Sequence, residues 1–343
     1  MIVRRKIFEK YQDYRFNIPY KSGDKVLVKT GDVLKEGSDL IIKRGSHIKN
    51  SFFLPEKLDV QTPKLSEYIN CIDGELVSKG DVLAEKVMAG GLNIKKVVSP
   101  VQGVVDLSRL RSGYLDLLGE ESETVVKSTF NGLVEGVDPV EGINILSNAY
   151  ALDLLCISDS LTKPKGERMV FGEFVVIGDG KDLVLDAGDS NYQDKIVFVG
   201  KYLHTDLLYD LFEKGAFFVL TYSMDYEDFR RQGLPVGIIG GFGEIYSSKS
   251  IIDLISSMNS KFVALDYDES QMFFITQEKE YISKEDLFVK SASGSTVISR
   301  SLANYGMLGK IVSMEEEGLY ANVEWEGGQK SIINIASVEF VSL

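Results

Sequence analysis

Turn signals recur at short intervals between residues 20 and 150, and their spacing limits what this chain can fold into. Runs rich in Val, Ile and Leu alternate there with Gly-Asp, Asp-Gly, Gly-Gly and Asn-Gly pairs, roughly every 8–12 residues. No stretch of about 12 residues in this block holds a helical period. Many short strands with such turns are typical of barrels and sandwiches, so we expect an all-β block.

Two near-repeats lie within this block. The heptapeptide "VKTGDVL" at 28–34 matches "VSKGDVL" at 77–83, and "SPVQGVV" at 99–105 matches "STFNGLV" at 128–134. The glycine of each Gly-Asp pair gives the backbone the freedom for a tight turn, and the Val and Leu that follow can enter a core. The repeats therefore predict strand-turn-strand units that pair as half-barrels.

This combination resembles the lipoyl/biotinyl-type barrel-sandwich hybrid, whose half-barrels read V-x-x-G-D-x-L and, after a hairpin, S/A-P-x-x-G-x-V. The matching positions are Val77, Gly80, Asp81, Leu83, Ser99, Pro100, Gly103 and Val105. The same fold recurs as a non-carrier module in RNA polymerase large subunits and in membrane fusion proteins. The resemblance is specific for a fold and not for an activity.

Carrier members of this family bear their cofactor on a lysine at the hairpin tip. The segment between the two half-motifs is "AEKVMAGGLNIKKVV", and its middle, Ala89-Gly90-Gly91-Leu92, suits a two-residue turn. Lys86 precedes that tip, and Lys95 and Lys96 follow it. We interpret all three as surface lysines on the hairpin strands and expect no cofactor.

Strand-like and helix-like segments alternate regularly from about residue 181 to 277. Strands are expected at "KIVFVG", "AFFVLTYS", "PVGIIGGFG" and "KFVALDY", with helices at "HTDLLYDLFEKGA", "MDYEDFRRQG" and "SSKSIIDLISSMNS". This order predicts a small α/β domain with a mostly parallel sheet. In such sheets the loops after the carboxyl ends of the strands form the usual binding crevice.

Two of these loops supply the candidate ligand-binding residues. The loop "GGFGEIYSSKS" at 240–250 combines three glycines with a helix start, which suits an anion or phosphate, although Glu244 would oppose one. It lacks the spacing of a P-loop or a dinucleotide fingerprint. The second loop, within "LTYSMDYEDF" at 220–229, offers hydroxyls and acidic side chains that suit a polar site or a cation. The alternative interpretations are a tight turn over a packed Phe242 for the first loop, and for the second a helix capped by Ser223 with Asp225 and Glu227 at its start. The candidates are Thr221, Ser223, Gly240, Gly241, Phe242, Gly243 and Ser247.

The C-terminal segment of about 40 residues is again β-like. It resembles the KOW/SH3-like barrels of NusG-type transcription factors and some ribosomal proteins, with matches at Gly309, Lys310, Val312, Val323, Trp325 and Gly328. Members that grip RNA present basic residues, whereas this segment carries Glu315, Glu316, Glu317, Glu324 and Glu326. The resemblance therefore implies a protein partner. Lys310 and Trp325 are its candidate contacts, and Trp325 has an alternative place in the core.

Composition narrows the function classes further. A net charge of −13 disfavours extensive nucleic-acid binding. The two cysteines and two histidines are isolated from one another, so we expect no metal site. No apolar run approaches the ~20 residues of a membrane-spanning helix, and no secretory signal is visible, so we expect a cytoplasmic protein without a membrane partner.

The sequence thus predicts a multidomain, mainly β protein. Its expected parts are a β-rich barrel-sandwich hybrid (lipoyl-like) block at 1–160, a small α/β domain with a parallel sheet at 161–285, and a KOW/SH3-like β-barrel at 300–343. We expect a non-enzymatic binding or assembly protein with no catalytic residues, and RNA polymerase or the ribosome as its candidate partner. The alternatives are a nucleotide- or phosphate-binding protein or enzyme that uses the 240–244 loop, and a structural homo-oligomer.

Overall fold

A computed structural model of the chain describes residues 2–3, 6–87, 93–158, 169–178, 180, 183–276, 288–289, 292–315 and 318–341. Strands account for 49% and helices for 15% of the structure, which confirms the predicted mainly β class. The strands in these residues are β1 (Ile2–Val3), β2 (Lys6–Ile18), β3 (Lys25–Val26), β4 (Val33–Leu34), β5 (Asp39–Phe53), β6 (Leu76–Val77), β7 (Val82–Val87), β8 (Ile94–Val98), β9 (Gly103–Asp106), β10 (Tyr114–Lys127), β11 (Gly132–Asp138), β12 (Gly142–Asp153), β13 (Cys156–Ile157), β14 (Met169–Val176), β15 (Lys195–Phe198), β16 (Tyr202–Leu203), β17 (Phe218–Met224), β18 (Val236–Phe242), β19 (Phe262–Asp266), β20 (Gln271–Thr276), β21 (Phe288–Val289), β22 (Thr296–Ser299), β23 (Leu308–Glu315), β24 (Tyr320–Trp325), β25 (Lys330–Asn334) and β26 (Val338–Val341). The α-helices are α1 (Leu54–Leu58), α2 (Thr205–Glu213), α3 (Tyr226–Arg231) and α4 (Lys249–Ser256).

Most of these strands join one continuous hydrogen-bonded sheet, with β12 at its centre. One edge of β12 pairs with β2, and the other pairs first with β11 and then with β20. From β20 the sheet continues through β19, β14, β15, β17, β18 and β13. From β2 it continues through β26, β22, β23, β24 and β25. The pairings of β20 with β12 and of β2 with β26 link the three predicted domains, whose boundaries stay predictions.

Four neighbouring strands, β14, β15, β17 and β18, run parallel. Side chains along a strand alternate between the two faces of its sheet, and both faces are apolar here. Phe198 and Ile252 of α4 belong to the core on one face. Val197 and Leu208 of α2 belong to the core on the other, and α3 packs there through Phe229. Helices therefore cover both faces of the parallel strands.

A long antiparallel ribbon of β5 and β10 carries the segment 54–113 away from the main sheet. Phe53 pairs with Tyr114 at the far end of the ribbon, where the chain enters and leaves this segment. The segment has its own core, which includes Leu54, Leu65 and Leu83 and is completed by Leu117 of β10. We call residues 54–113 the inserted unit.

The Gly-Asp pairs and two related pairs, Gly-Ser and Gly-Glu, fold into turns of one kind. In the turns at 21–24, 29–32, 35–38, 72–75 and 78–81, the N–H of the fourth residue donates to the carbonyl of the first. The side chain of the fourth residue accepts a hydrogen bond from the N–H of the first. The third residue is a glycine with a positive φ of 80° to 107°, as the turn requires. Asp, Ser or Glu is therefore needed for its side-chain oxygen, and Gly for its backbone freedom.

The hydrogen bonds of these turns show which copies are equivalent. Gly31 N–H donates to Val134 O and Gly37 N–H to Ser128 O, each over 2.7–2.8 Å. In the inserted unit, Gly74 N–H donates to Val105 O and Gly80 N–H to Ser99 O, both over 2.8 Å. Residues 31–40 thus correspond to 74–83, and 128–134 to 99–105. The two best-matching heptapeptides are one turn out of step with this equivalence.

Burial follows the same equivalence. Leu34 and Leu40 of the first copy are both 2% exposed, and their counterparts Val77 and Leu83 are 3% and 0% exposed. The two copies contribute to separate hydrophobic cores. The inserted unit is therefore a second copy of the unit into which it is inserted, with the ribbon in the place of a short hairpin.

The C-terminal strands β22 to β26 surround a separate small core. Trp325 is 2% exposed in this core and packs with Ile311, Val323 and Phe340. Its indole N–H donates to Ser331 Oγ over 2.6 Å. Across the described ranges, no helix combines the length and the apolar character needed to cross a membrane.

Candidate functional site

The two loops chosen from the sequence meet at the carboxyl ends of β17 and β18. These strands are neighbours, with Ser223 paired to Gly241 and Met224 paired to Phe242. The chain leaves β17 for α3 on one face of the sheet and leaves β18 for α4 on the other. A crevice is expected where the connections of adjacent parallel strands diverge in this way. The two loops predicted from the sequence therefore lie side by side at one edge of the sheet.

The polar side chains at the end of β17 donate hydrogen bonds to backbone carbonyls. Thr221 Oγ1 donates to Ser223 O over 3.0 Å, and Ser223 Oγ donates to Lys201 O over 3.1 Å. Both residues are buried, at 0% and 2% exposure. Neither hydroxyl faces a ligand in this arrangement.

The residue that caps α3 is Asp225 and not Ser223. Asp225 Oδ1 accepts hydrogen bonds from the N–H groups of Glu227 and Asp228 over 2.8 and 3.1 Å. The acidic residues of this loop thus stabilise a helix start, as the simpler interpretation expected.

The glycines that end β18 are packed against aromatic rings. A Cβ on Gly240 would lie 2.2 Å from Cε1 of Tyr222, and one on Gly241 would lie 2.9 Å from the Tyr305 hydroxyl. The carbonyl of Gly240 accepts hydrogen bonds from Tyr305 Oη over 2.7 Å and from Arg300 Nη1 over 3.2 Å. Gly243 alone of the three has a positive φ, of 76°. The ring of Tyr222 on the neighbouring strand β17 therefore accounts for Gly240, and the Tyr305 hydroxyl accounts for Gly241.

An anion does lie at the start of α4, and the chain itself supplies it. The carboxylate of Glu326, which directly follows β24, accepts hydrogen bonds from three hydroxyls of the loop. These are Ser250 Oγ at 2.8 Å, Ser248 Oγ at 3.0 Å and Tyr246 Oη at 3.3 Å. Ser247, the predicted contact, is half-buried beside them. The helix N-terminus is thus already neutralised by a carboxylate.

Phe242 lies beside an open groove. One side of its ring packs against Tyr226 and Phe229, with ring centroids 5.2 Å away in each case. Phe242 also lines a groove of about 520 Å³ between the loop 242–246 and the turn 302–307. We call this the 242/302 groove. The side chains that line it are Phe242, Glu244, Ile245, Tyr246, Leu302, Ala303, Asn304, Tyr305 and Met307.

The two candidate partner contacts in the C-terminal strands lie in different surroundings. Lys310 is exposed on β23. Trp325 is held inside the core by its packing and its hydrogen bond, so its ring is not offered to a partner.

A second cavity, which no pattern in the sequence predicts, lies between the inserted unit and α2. It has a volume of about 620 Å³ and is lined by Glu56 and Asp59 from one side and by Asp206, Asp210 and Glu213 from the other. A hydrogen bond with Glu213 raises the pKa of Glu56 to about 7, and burial and the charge of Glu213 act in the same direction. These carboxylates lie more than 140 positions apart in the chain, so only the fold brings them together.

The hairpin that a carrier lysine would occupy is described only in part. Its tip, residues 88–92, lies outside the described residues. Lys86 Nζ donates to the carbonyl of Asp59, and Lys95 and Lys96 form ion pairs with Asp59 and Glu85 at 3.8 and 3.4 Å. Lys86 and Lys95 therefore contact Asp59 outside the hairpin, whereas Lys96 pairs with the neighbouring strand of the hairpin itself.

Among the described residues, no three His, Cys, Asp or Glu side chains are placed to hold a metal ion. Cys71 and Cys156 are both free thiols, and burial raises the pKa of each.

No protein-family model matches this chain, and no curated protein is significantly similar to it.

Proposed function

We propose that this chain is a non-enzymatic binding and assembly protein. The observation that carries the proposal is the carboxylate of Glu326 at the start of α4, where it accepts hydrogen bonds from Tyr246, Ser248 and Ser250. A nucleotide or phosphate at this loop would have to displace it and the strands behind it. What the edge of the sheet offers to solvent is an apolar groove, which suits another protein.

The finer architecture that we propose for the chain agrees with this function. We propose that the two equivalent copies are nested barrel-sandwich hybrids, that the parallel strands and their helices form an α/β unit, and that β22 to β26 form an SH3-like barrel. Both β modules resemble interaction domains of the transcription and translation machinery, so RNA polymerase and the ribosome are the partners to test first. This choice rests on analogy between folds.

Direct binding assays test the proposed partners. The purified chain is mixed with purified RNA polymerase and, separately, with ribosomes, and each mixture is sedimented through a density gradient. We expect the chain to move with one of the two large particles. If it stays at the top of both gradients, neither of these partners is correct.

A thermal-shift screen tests the alternative of a ligand-binding protein or enzyme. The full chain is heated with ATP, GTP, NAD or inorganic phosphate at millimolar concentration. A ligand that binds only the folded state raises the melting temperature by mass action. We expect no shift, and a shift that Gly241→Val abolishes would establish the 240–244 loop as a ligand site.

Size-exclusion chromatography with light scattering measures the mass of the chain in solution and so tests the alternative of a structural homo-oligomer.

A further inference from the structure

The 242/302 groove has the surface chemistry of a docking site. Phe242, Tyr246, Tyr305 and Met307 line it with aromatic and apolar side chains. Leu302, on the short 3₁₀-helix Leu302–Asn304, is 97% exposed beside it. Leu302 therefore extends the apolar lining of the groove onto its exposed rim, and the contiguous apolar surface rather than the single leucine marks a docking site.

The groove is open along one side, which bears on the size of its occupant. Tyr246 and Leu302 are both exposed, at 46% and 97%. A small molecule in a binding site is usually enclosed on most of its surface, whereas a polypeptide segment can insert one side chain and leave its other face in solvent. The shape therefore favours a segment of another protein.

The acidic residues around the groove indicate which polypeptide segments it would bind. Apart from the two tyrosines, Glu244 is the one ionisable side chain among the described residues that line the groove. Burial first, and then the carboxylates of Asp225, Asp228 and Glu244, raise the pKa of the Tyr202 hydroxyl, so these acids share one region of the surface. The whole chain carries a net charge of −13. Opposite charge on the partner accelerates association and suppresses acidic competitors.

We infer that the 242/302 groove binds a polypeptide segment that carries an apolar or aromatic anchor next to Lys or Arg. The anchor packs against Phe242 and Leu302, and the cation faces Glu244. This inference rests on the proposed function and specifies the surface and the chemistry of the partner.

The probe for this test is a phage-displayed library of random 12-residue peptides. It is selected on the full-length chain alone, so that the later comparison with Leu302→Asp, a substitution at an exposed position outside the core, is not decided by the selection. We expect enriched peptides to place an apolar residue within two positions of Lys or Arg. Synthetic versions are then measured by fluorescence anisotropy against four forms of the chain: the parent, Leu302→Asp, Glu244→Gln and Val140→Asp.

The three variants have different expected outcomes. Leu302→Asp should weaken binding about tenfold or more, because the contact with the anchor is lost. Glu244→Gln should weaken it about two- to fivefold and reduce its dependence on salt. Val140→Asp changes a residue that is 93% exposed in the turn between β11 and β12 and should have no effect. Enrichment of acidic peptides, or equal binding to Leu302→Asp, would overturn the inference while the proposed function stands.

Self-association is a separate outcome. If light scattering shows a dimer of the parent chain that Leu302→Asp converts to a monomer, the groove is covered by a second copy and the inference is wrong. A thermal shift with nucleotides, in contrast, would overturn the proposed function itself.

Discussion

Gly240 is a glycine because a neighbouring ring leaves no room for a side chain. The ring of Tyr222 is fully buried, and a Cβ at Gly240 would lie 2.2 Å from it. Burial also raises the pKa of Tyr222 to about 12, so its hydroxyl stays protonated. At Gly31 and Gly80, by contrast, an added Cβ meets nothing within 4 Å, and the positive φ alone requires glycine. The same residue type thus serves two different physical needs.

We expect Gly240→Ala to lower the free energy of unfolding by about 1–3 kcal/mol, because overpacking forces the Tyr222 ring or the strand to move. Urea denaturation measures the change. Gly45→Ala is the matched control, since its Cβ meets nothing within 4 Å and its φ is not positive. The double variant Gly240→Ala/Tyr222→Leu should recover part of the loss. Equal stability of the two single variants would contradict this account.

At the level of elements, two of the contacts between parts of the molecule involve carboxylates. Glu326 joins the C-terminal strands to the start of α4 through three hydroxyls. Glu56 of α1 meets Glu213 of α2 across the cavity beside the inserted unit. The first carboxylate is matched by donors, whereas the second faces another acid. The two contacts should therefore respond differently to substitution and to pH.

We expect Glu326→Ala to cost about 1–3 kcal/mol, because three hydroxyls lose a charged acceptor. The loss should be accompanied by faster amide hydrogen exchange in the first turn of α4. Glu324→Ala is the control, since Glu324 is an exposed residue whose ion pair with Lys330, at 3.4 Å, should contribute less than about 0.5 kcal/mol. Unchanged exchange in α4 after Glu326→Ala would show that this contact does not hold the helix start.

Stability should fall as pH rises through 7 at the contact between α1 and α2. The folded-state pKa of Glu56 is about 7, above its ordinary value of 4.5. As pH rises, the unfolded chain therefore releases this proton at a lower pH than the folded chain does. The stabilising effect of this proton is complete below pH 4.5 and is lost as pH approaches and passes 7. Asp210 adds to the raised pKa and Lys57 opposes it.

Urea denaturation at pH 5, 6, 7 and 8 tests this behaviour. Glu213→Gln removes the second negative charge, so this variant should lose less stability than the parent chain between pH 5 and pH 8. Glu141→Gln, at an exposed position in the turn after β11, should follow the parent at every pH. Parallel curves for the parent and Glu213→Gln would rule out a shared proton at this contact.

The whole molecule is built as one sheet from which one unit projects. The core beneath α4 contains Phe8 of β2, Tyr150 and Leu152 of β12, and Val341 of β26. The parallel strands therefore depend on segments from both ends of the described chain. The inserted unit instead draws nearly all of its core from residues 54–117.

Two fragments should therefore behave differently. We expect residues 51–117 to unfold cooperatively on heating, with circular dichroism as the measure, although a core of this size gives only marginal stability. Residues 161–285 alone should give poorly dispersed NMR spectra. They lack the strand that pairs with β20 and the strands that complete the core beneath α4. A well-dispersed spectrum from 161–285 would show that this segment is an independent domain.

Local patterns predicted local structure well in this chain. Gly31 and Gly80 lie in tight turns, and the apolar stripe at Leu207, Leu208 and Leu211 lies on one buried face of α2. The sequence alignment of the two copies is one turn out of step with the structure. Successive turns have nearly the same residues, and only their hydrogen-bond partners distinguish them. The loop after β18 was recognised from its glycines and serines. The carboxylate of Glu326, which accepts hydrogen bonds from that loop, was not predicted, because no residue near position 326 indicates a contact with a helix start.

The ribbon of β5 and β10 has a consequence for how the chain can vary. The inserted unit begins and ends at two paired neighbours, Phe53 and Tyr114. A two-residue turn in its place would close the ribbon as an ordinary hairpin. Removal would uncover the face of α2 but would leave the strand order of the main sheet unchanged. The chain thus contains a point at which one folded unit can be deleted, duplicated or exchanged for an unrelated one while the remaining architecture persists.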